Sequence, residues 1–136
     1  MKDSTAGQFD KVVGICKDFF FKKFDDYGTA WRIMRPASVT DQIFIKAQRI
    51  RSIEEKGTSL VGEGIIPEFI GIINYGIIGL IQLELSQSEQ QDLDKESTML
   101  LYDKYSEEAK NLMMKKNHDY GEAWRSMRVE SYTDLI

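Results

Sequence analysis

The sequence predicts an all-α helical bundle built from a tandem internal repeat with pseudo-two-fold symmetry. Three observations carry that expectation. A 22-residue stretch recurs within the chain. The segments leading into it space their apolar residues as an amphipathic helix does. The one strongly apolar run is longer than most strands.

The repeat is read by laying Lys22–Ile43 (KKFDDYGTAWRIMRPASVTDQI) over Lys115–Ile136 (KKNHDYGEAWRSMRVESYTDLI). At a constant offset of 93, with no gap, 14 of 22 positions are identical. The register extends upstream, where Phe9-Asp10-Lys11 aligns with Tyr102-Asp103-Lys104. Copy one spans 9–56. Copy two, 102–136, stops where the next helix of copy one begins, so the native chain is expected to continue.

Taken in order, Phe9, Val12, Val13, Cys16, Phe19, Phe20 and Phe24 form the apolar stripe of a first helix. Its counterpart in copy two has a weaker stripe. Gly28 and Gly121 are placed to close these helices in a left-handed conformation. A short helical turn follows at AWRIMR or AWRSMR, and Pro36 ends it in copy one. Ser38 or Thr40, with counterparts Ser131 or Thr133, can then cap a helix running from about Val39 to Lys56. Gly57 to Gly64 reads as a loop. Residues 65–85 read as a central apolar helix with Pro67 in its first turn; a buried strand is the rival reading. Along it Glu68, Tyr75 and Gln82 recur every seven residues and share a face. Residues 86–96 are a polar, solvated linker.

The totals bound the function. A net charge of −4 argues against nucleic acid as the main partner, since such proteins usually carry a basic stripe. A small phosphate pocket needs only a few Lys or Arg. The single cysteine allows no internal disulfide and suits a reducing cytoplasm. The apolar core of the central helix, Phe69 to Ile81, falls short of the roughly 20 residues that span a bilayer, so no membrane partner is expected.

Two constellations could do chemistry. Each DYGxAWRxMR copy holds an Asp, a Tyr, a Trp and two Arg: Asp26, Tyr27, Trp31, Arg32 and Arg35, then Asp119, Tyr120, Trp124, Arg125 and Arg128. Arginines three apart on a helix share a face and can grip a phosphate, while the Trp can stack on a base. The competing reading makes the Trp core and the Arg partners of nearby Asp. The second set is acidic: Glu54, Glu55, Glu63 and Glu68 could hold magnesium, with Lys46 and Arg49 facing the phosphates. Glutamates near helix ends are also commonly just solvated. Asn74, inside the apolar helix, needs a partner, either a ligand or another helix.

The DYGxAWRxMR stretch, the following TDxI, the KAQRIRSIEE helix and the EFIGIINYGIIGLIQLEL helix together resemble the bacterial domain of unknown function family 1599, described as a nucleotide modification associated domain. More distantly, their order resembles the MazG-type nucleotide pyrophosphohydrolases. That resemblance implies an all-α homodimer using magnesium to cleave nucleoside triphosphates. It places Lys46, Arg49, Glu54, Glu68 and Asn74 at the site, with Lys46 and Arg49 in the catalytic role. The paired acidic motifs of those enzymes, EExxE and ExxD, are not present as such, and Gly71 stands where related sequences often carry Asp. Three functions follow: a magnesium-dependent hydrolase, a non-catalytic nucleotide-binding module, or a structural helical protein.

Overall fold

The computed structural model describes residues 4–57 and 64–136. Among them are five α-helices and three short 3-10 turns, with no strand, so the chain is all-α. Helix α1 (Thr5–Tyr27) leads through a 3-10 turn (Ala30–Ile33) into α2 (Pro36–Lys56). Helix α3 (Ile66–Leu85) and helix α4 (Lys95–Tyr120) follow. A second 3-10 turn (Ala123–Ser126), α5 (Val129–Tyr132) and a final turn (Thr133–Leu135) complete the order.

The ends of these helices follow local chemistry. Ser4 caps α1 by accepting from the Gly7 amide at 3.0 Å, and Asp94 caps α4 by accepting from Ser97 at 2.7 Å. Helix α2 starts earlier than expected. Pro36 sits in its first turn, where a missing N–H costs nothing, and so begins α2 instead of merely ending the turn before it. Ser38 and Thr40 therefore lie inside the helix; Arg35 takes the cap position without a side-chain bond. Gly28 and Gly121 do adopt positive φ (54° and 67°), but with extended ψ, so the chain leaves each helix sharply instead of curling left-handed. The loop expected at Gly57 to Gly64 falls mostly outside the described residues.

Packing divides the helices into two antiparallel pairs. In the first, α1 runs against α4, tied by Lys17–Asp103 (2.7 Å), Lys110–Asp10 (3.0 Å) and Lys95–Asp25 (3.2 Å). In the second, α2 runs against α3, with Val39 beside Gly79 and Arg49 beside Glu68. The second pair has the most extensive contact in the fold. The pairs meet where Phe20, Phe21, Val39, Ile77, Ile78, Ile81, Tyr102 and Tyr105 form the core. Phe20 is the hinge of an aromatic cluster, with ring centroids 5.0 Å from Phe21 and 5.1 Å from Tyr102.

Helix α3 touches α1, α2 and α4, and in that sense is central. It is not covered all round: Ile66, Leu80 and Leu83 are exposed. By length and composition alone its 20 residues could cross a membrane. Its polar residues are nonetheless committed to neighbouring helices, as described below.

The two DYG turns share local backbone geometry. Thr29 and Glu122 share φ/ψ of −105°/44° and −110°/46°, and Met34 and Met127 share −76°/130° and −74°/147°. The turn hydrogen bond from the Arg32 amide to the Thr29 carbonyl (2.9 Å) recurs from Arg125 to Glu122 (3.0 Å). Two of the α1–α4 ion pairs are also one contact made twice: Lys110 and Asp103 are Lys17 and Asp10 displaced by 93.

The two DYG turns differ in surroundings. Arg32 is almost wholly buried (side chain 3% exposed), while Arg125 is 41% exposed. The Arg32 guanidinium donates to Asp92 (3.0 Å), to the Ser86 carbonyl (2.7 Å) and to the Gln82 side chain. The Ser88 amide donates back to the Arg32 carbonyl at 2.7 Å, and Gln91 accepts from the Thr29 amide at 3.1 Å. The segment 86–96 is exposed along most of its length, as expected of a solvated linker, and is also tied to the first DYG turn as a strap. Arg32 holds the Asp92 carboxyl below the usual carboxylate range.

Removing Arg32 leaves buried acceptors without a donor, so Arg32→Ala is expected to cost about 1.5–3 kcal/mol in urea unfolding. Arg125→Ala, at the surface, should cost less than about 1 kcal/mol. A depressed carboxyl stabilises the fold above its unfolded pKa of about 3.9 and ceases to do so as the pH falls through the folded value. The Arg32→Ala protein should accordingly lose the part of the acid destabilisation that Asp92 contributes. Equal losses at the two arginines would show that the strap carries no weight.

Candidate functional site

A cavity of about 910 Å³ opens between the C-terminal half of α1, the first DYG turn and the α2–α3 pair. Most of its wall is ring and aliphatic surface: Phe19, Phe20, Phe24 and Tyr27 from α1, Trp31 and Met34 from the turn, and Ile70, Tyr75 and Ile78 from α3. Among the described residues, four charged side chains line it: Lys23, Lys46, Arg49 and Glu68. Its volume lies in the range of about 300–1,000 Å³ typical of small-molecule sites.

The charged end is built by the antiparallel register of α2 on α3. Glu68 is buried at 5% exposure, in the first turn of α3. It accepts from Arg49 at 2.6 Å, with the Lys46 ammonium 3.6 Å from its other oxygen. Lys46 also lies 5.8 Å from the Tyr75 ring centroid, a cation–π distance. The stem of Lys46 crosses α3 at Gly71, where an added Cβ would stand 2.6 Å from it. The missing side chain at Gly71 is thus what lets Lys46 lie flat and reach Glu68.

Polar groups behind the cavity fix its walls. The Gln82 amide donates to the carbonyls of Arg32 (2.8 Å) and Met34 (2.7 Å), pinning the DYG turn to α3. Asn74 donates to the Cys16 carbonyl (3.0 Å) and accepts from the Tyr102 hydroxyl (2.8 Å), so one amide joins α1, α3 and α4. Burial pushes the Tyr102 phenol and the Cys16 thiol up from their ordinary values, leaving both neutral at pH 7.

The residues singled out from the sequence separate into groups. Lys46, Arg49, Glu68 and Asn74 come together around the cavity, as do Tyr27 and Trp31 of the first DYG motif. Asp26 and Arg35 are exposed and line no part of it. Arg32 and Arg35 do not share a face, because the 3-10 turn ends before Arg35; Arg32 points into the strap. In the second motif Arg125 bonds Glu122 (2.5 Å) and Gln8 (2.5 Å), and its guanidinium carbon lies 4.6 Å from the Trp124 ring centroid. Asp119, Tyr120 and Arg128 are exposed. The two DYG motifs do not converge on this cavity.

The acidic set does not converge either. Glu54 and Glu55 line a separate, smaller depression with Arg51, Glu130 and Asp134. Glu63 lies outside the described residues. Among the described residues no group of three or more His, Cys, Asp or Glu is arranged to hold a metal ion. Sequence reasoning missed Lys23 and the walls Phe20, Phe24 and Met34. The signal for Lys23 was present in the Lys-Lys pair that both copies share.

The chain belongs to the family described as nucleotide modification associated domain 1, which matches residues 23–83 and 116–136, well over half of its length. The two matched segments begin at Lys23 and Lys116, the same position of the repeat. No curated protein and no solved structure matches the chain.

Asn74→Leu should leave the Tyr102 hydroxyl unpaired and destabilise the protein by about 1–3 kcal/mol in urea unfolding. A neutral result would mean that the amide does not tie the three helices.

Proposed function

We propose, starting from membership of this family, that the chain binds a nucleotide in the cavity between α1, the first DYG turn and the α2–α3 pair. One observation carries the reading: Lys46 and Arg49 line a cavity whose wall is otherwise mostly aromatic and aliphatic. A nucleotide has matching parts. Its phosphate suits a guanidinium and an ammonium, and its base suits the face of an aromatic ring. Trp31, Phe24 and Tyr27 supply such surface, and the Gln82 amide holds the Trp31 turn in place.

A second reading is favoured by Glu68. Magnesium is usually held by only one or two carboxylates together with substrate phosphates. A carboxylate in the same cavity as two cations could support a metal-dependent phosphoryl hydrolysis, with the ion offsetting charge on the phosphates. Glu54 and Glu55, in the other depression, would take no part in it.

A thermal-shift screen of nucleoside mono-, di- and triphosphates, with and without magnesium, separates these readings, because a ligand of the folded state raises Tm. The expected outcome is a metal-independent shift that Lys46→Ala and Arg49→Ala each weaken, with affinity down about tenfold. A shift needing both magnesium and a triphosphate, accompanied by pyrophosphate release, would establish the hydrolase instead. No shift with any nucleotide would sink the nucleotide reading.

A further inference from the structure

Helix α3 leaves one face open, and the residues on that face are regularly spaced. Ile66, Phe69, Ile73, Gly76, Leu80 and Leu83 follow one another at alternating intervals of three and four. This is the a/d pattern of a helix packed lengthwise on another helix. Ile66, Ile73, Leu80 and Leu83 are 70%, 36%, 40% and 67% exposed, and Phe69 and Gly76 are half-buried. The neighbours of α3 take its other sides: Gly79 meets α2, Gln82 the first DYG turn, and Asn74 both α1 and α4. Single exposed apolar residues need no explanation, but a continuous stripe marks an interaction surface.

We propose that this stripe is an interface through which two copies of the chain pair, their α3 helices antiparallel about a two-fold axis. The register is the argument. A two-fold interface must be self-complementary, each residue meeting its counterpart reciprocally. Reversing one helix sets Ile66 against Leu83 of the second copy, Phe69 against Leu80, and Ile73 against Gly76. The same three pairs then recur on the other side of the axis, so all six positions are matched. A stripe that reads alike in both directions fits a copy of itself.

Gly76 stands beside that axis. A Cβ there would meet no described atom within 4 Å, whereas one at Gly71 would strike Lys46 and one at Gly79 would touch Val39. Glycine weakens a helix interior, and packing within the chain does not call for it at position 76. In the pair, Ile73 of each copy enters the gap that Gly76 of the other leaves. Charge does not oppose the contact: the stripe and its flanking Ile70, Ile72, Ile77 and Gly79 are all uncharged, although the chain carries −4. A membrane surface is the poorer occupant. Helices that lie on membranes carry Lys and Arg along their polar face, but α3 has neither, and its charged residues are Glu68 and Glu84. One helix pair of this length buries on the order of 1,000 Å², the lower end for a specific interface, so the dimer should dissociate reversibly. The cavity residues Glu68, Gly71, Asn74, Tyr75 and Ile78 lie on the opposite side of α3. Pairing therefore leaves the cavity open, and the inference goes beyond the nucleotide reading without depending on it.

Sedimentation velocity of the whole chain, from micromolar to submillimolar concentration, should show a monomer passing to a dimer. Leu83→Glu places a charge on an exposed position of the stripe, and Gly76→Leu fills the gap at the axis. Each should weaken dimerisation at least tenfold, while Tm at concentrations where the wild type is monomeric stays unchanged or rises. The register is read by crosslinking. Mixed Ile66→Cys and Leu83→Cys chains should join through a short thiol crosslinker, whereas neither should join to itself, because like ends of an antiparallel pair lie about 25 Å apart. The native Cys16 is fully buried and does not compete. A wild-type monomer at every concentration would overturn the proposal, as would a dimer that survives both substitutions or crosslinks formed by Ile66→Cys alone. A monomer that sediments with phosphatidylcholine–phosphatidylserine vesicles would also overturn it and assign the stripe to a membrane.

Discussion

The arrangement of this protein depends on a polar seam along an otherwise apolar helix. Glu68, Tyr75 and Gln82 recur every two turns of α3 and lie on the side that meets α2 and the first DYG turn. Each has a partner there: Arg49 for Glu68, Lys46 for Tyr75, and Arg32 with the turn carbonyls for Gln82. A buried polar group without a partner is costly, so each of these residues admits few alternative registers. Sliding α2 along α3 by one turn would leave Glu68 buried without its guanidinium. The apolar surface of α3 supplies burial energy, and the seam selects the single register in which the cavity exists.

The duplicated motif shows how much context decides what a residue does. Arg32 and Arg125 occupy the same place in turns of nearly the same backbone geometry. In copy one the turn lies under α3 and the 86–96 segment, and its arginine is buried among Asp92, Gln82 and the Ser86 carbonyl. In copy two Thr29 is replaced by Glu122, and Arg125 turns to that carboxylate and to Thr5 and Gln8 of α1. The common features are those the turn itself needs: a glycine at positive φ, a Trp, and an arginine able to find acceptors. What differs is everything supplied by the neighbouring helices.

This division also explains what could be read in advance. The helices, the short turn at AWRIMR and the apolar nature of α3 follow from periodicity and propensity, which are local. So does the gathering of Lys46, Arg49 and Glu68, once α2 and α3 are taken as antiparallel neighbours. Pairing of Arg32 with an Asp was one of the two readings of the motif, but its partner was not legible, because Asp92 lies sixty residues away and folds back over the turn. Val12 and Phe19 fit the stripe of α1 yet are exposed, while Phe21, off that stripe, is buried. Helix α1 is enclosed by α3 on one side and α4 on another, so its covered face is set by two crossing neighbours and not by a single amphipathic seam. The separation of Glu54 and Glu55 from Glu68 has a similar cause: they follow Arg49 by more than a turn and project beyond the end of α3 that carries Glu68.

Gly71 connects the helix packing to the chemistry of the cavity. A helix-interior glycine costs about 1 kcal/mol relative to alanine, so its presence in α3 calls for a compensating gain. That gain is visible in the Lys46 side chain, which lies across the bare backbone with its Cδ and Cε each 2.6 Å from where a Cβ would be. A carboxylate at this position and a lysine lying over it are mutually exclusive uses of the same space. A carboxylate there would have joined Glu68 to make an anionic pair suited to a cation. The bare helix instead brings a second cation to Glu68. One missing side chain thereby decides that a lysine, and not a second carboxylate, stands beside Glu68.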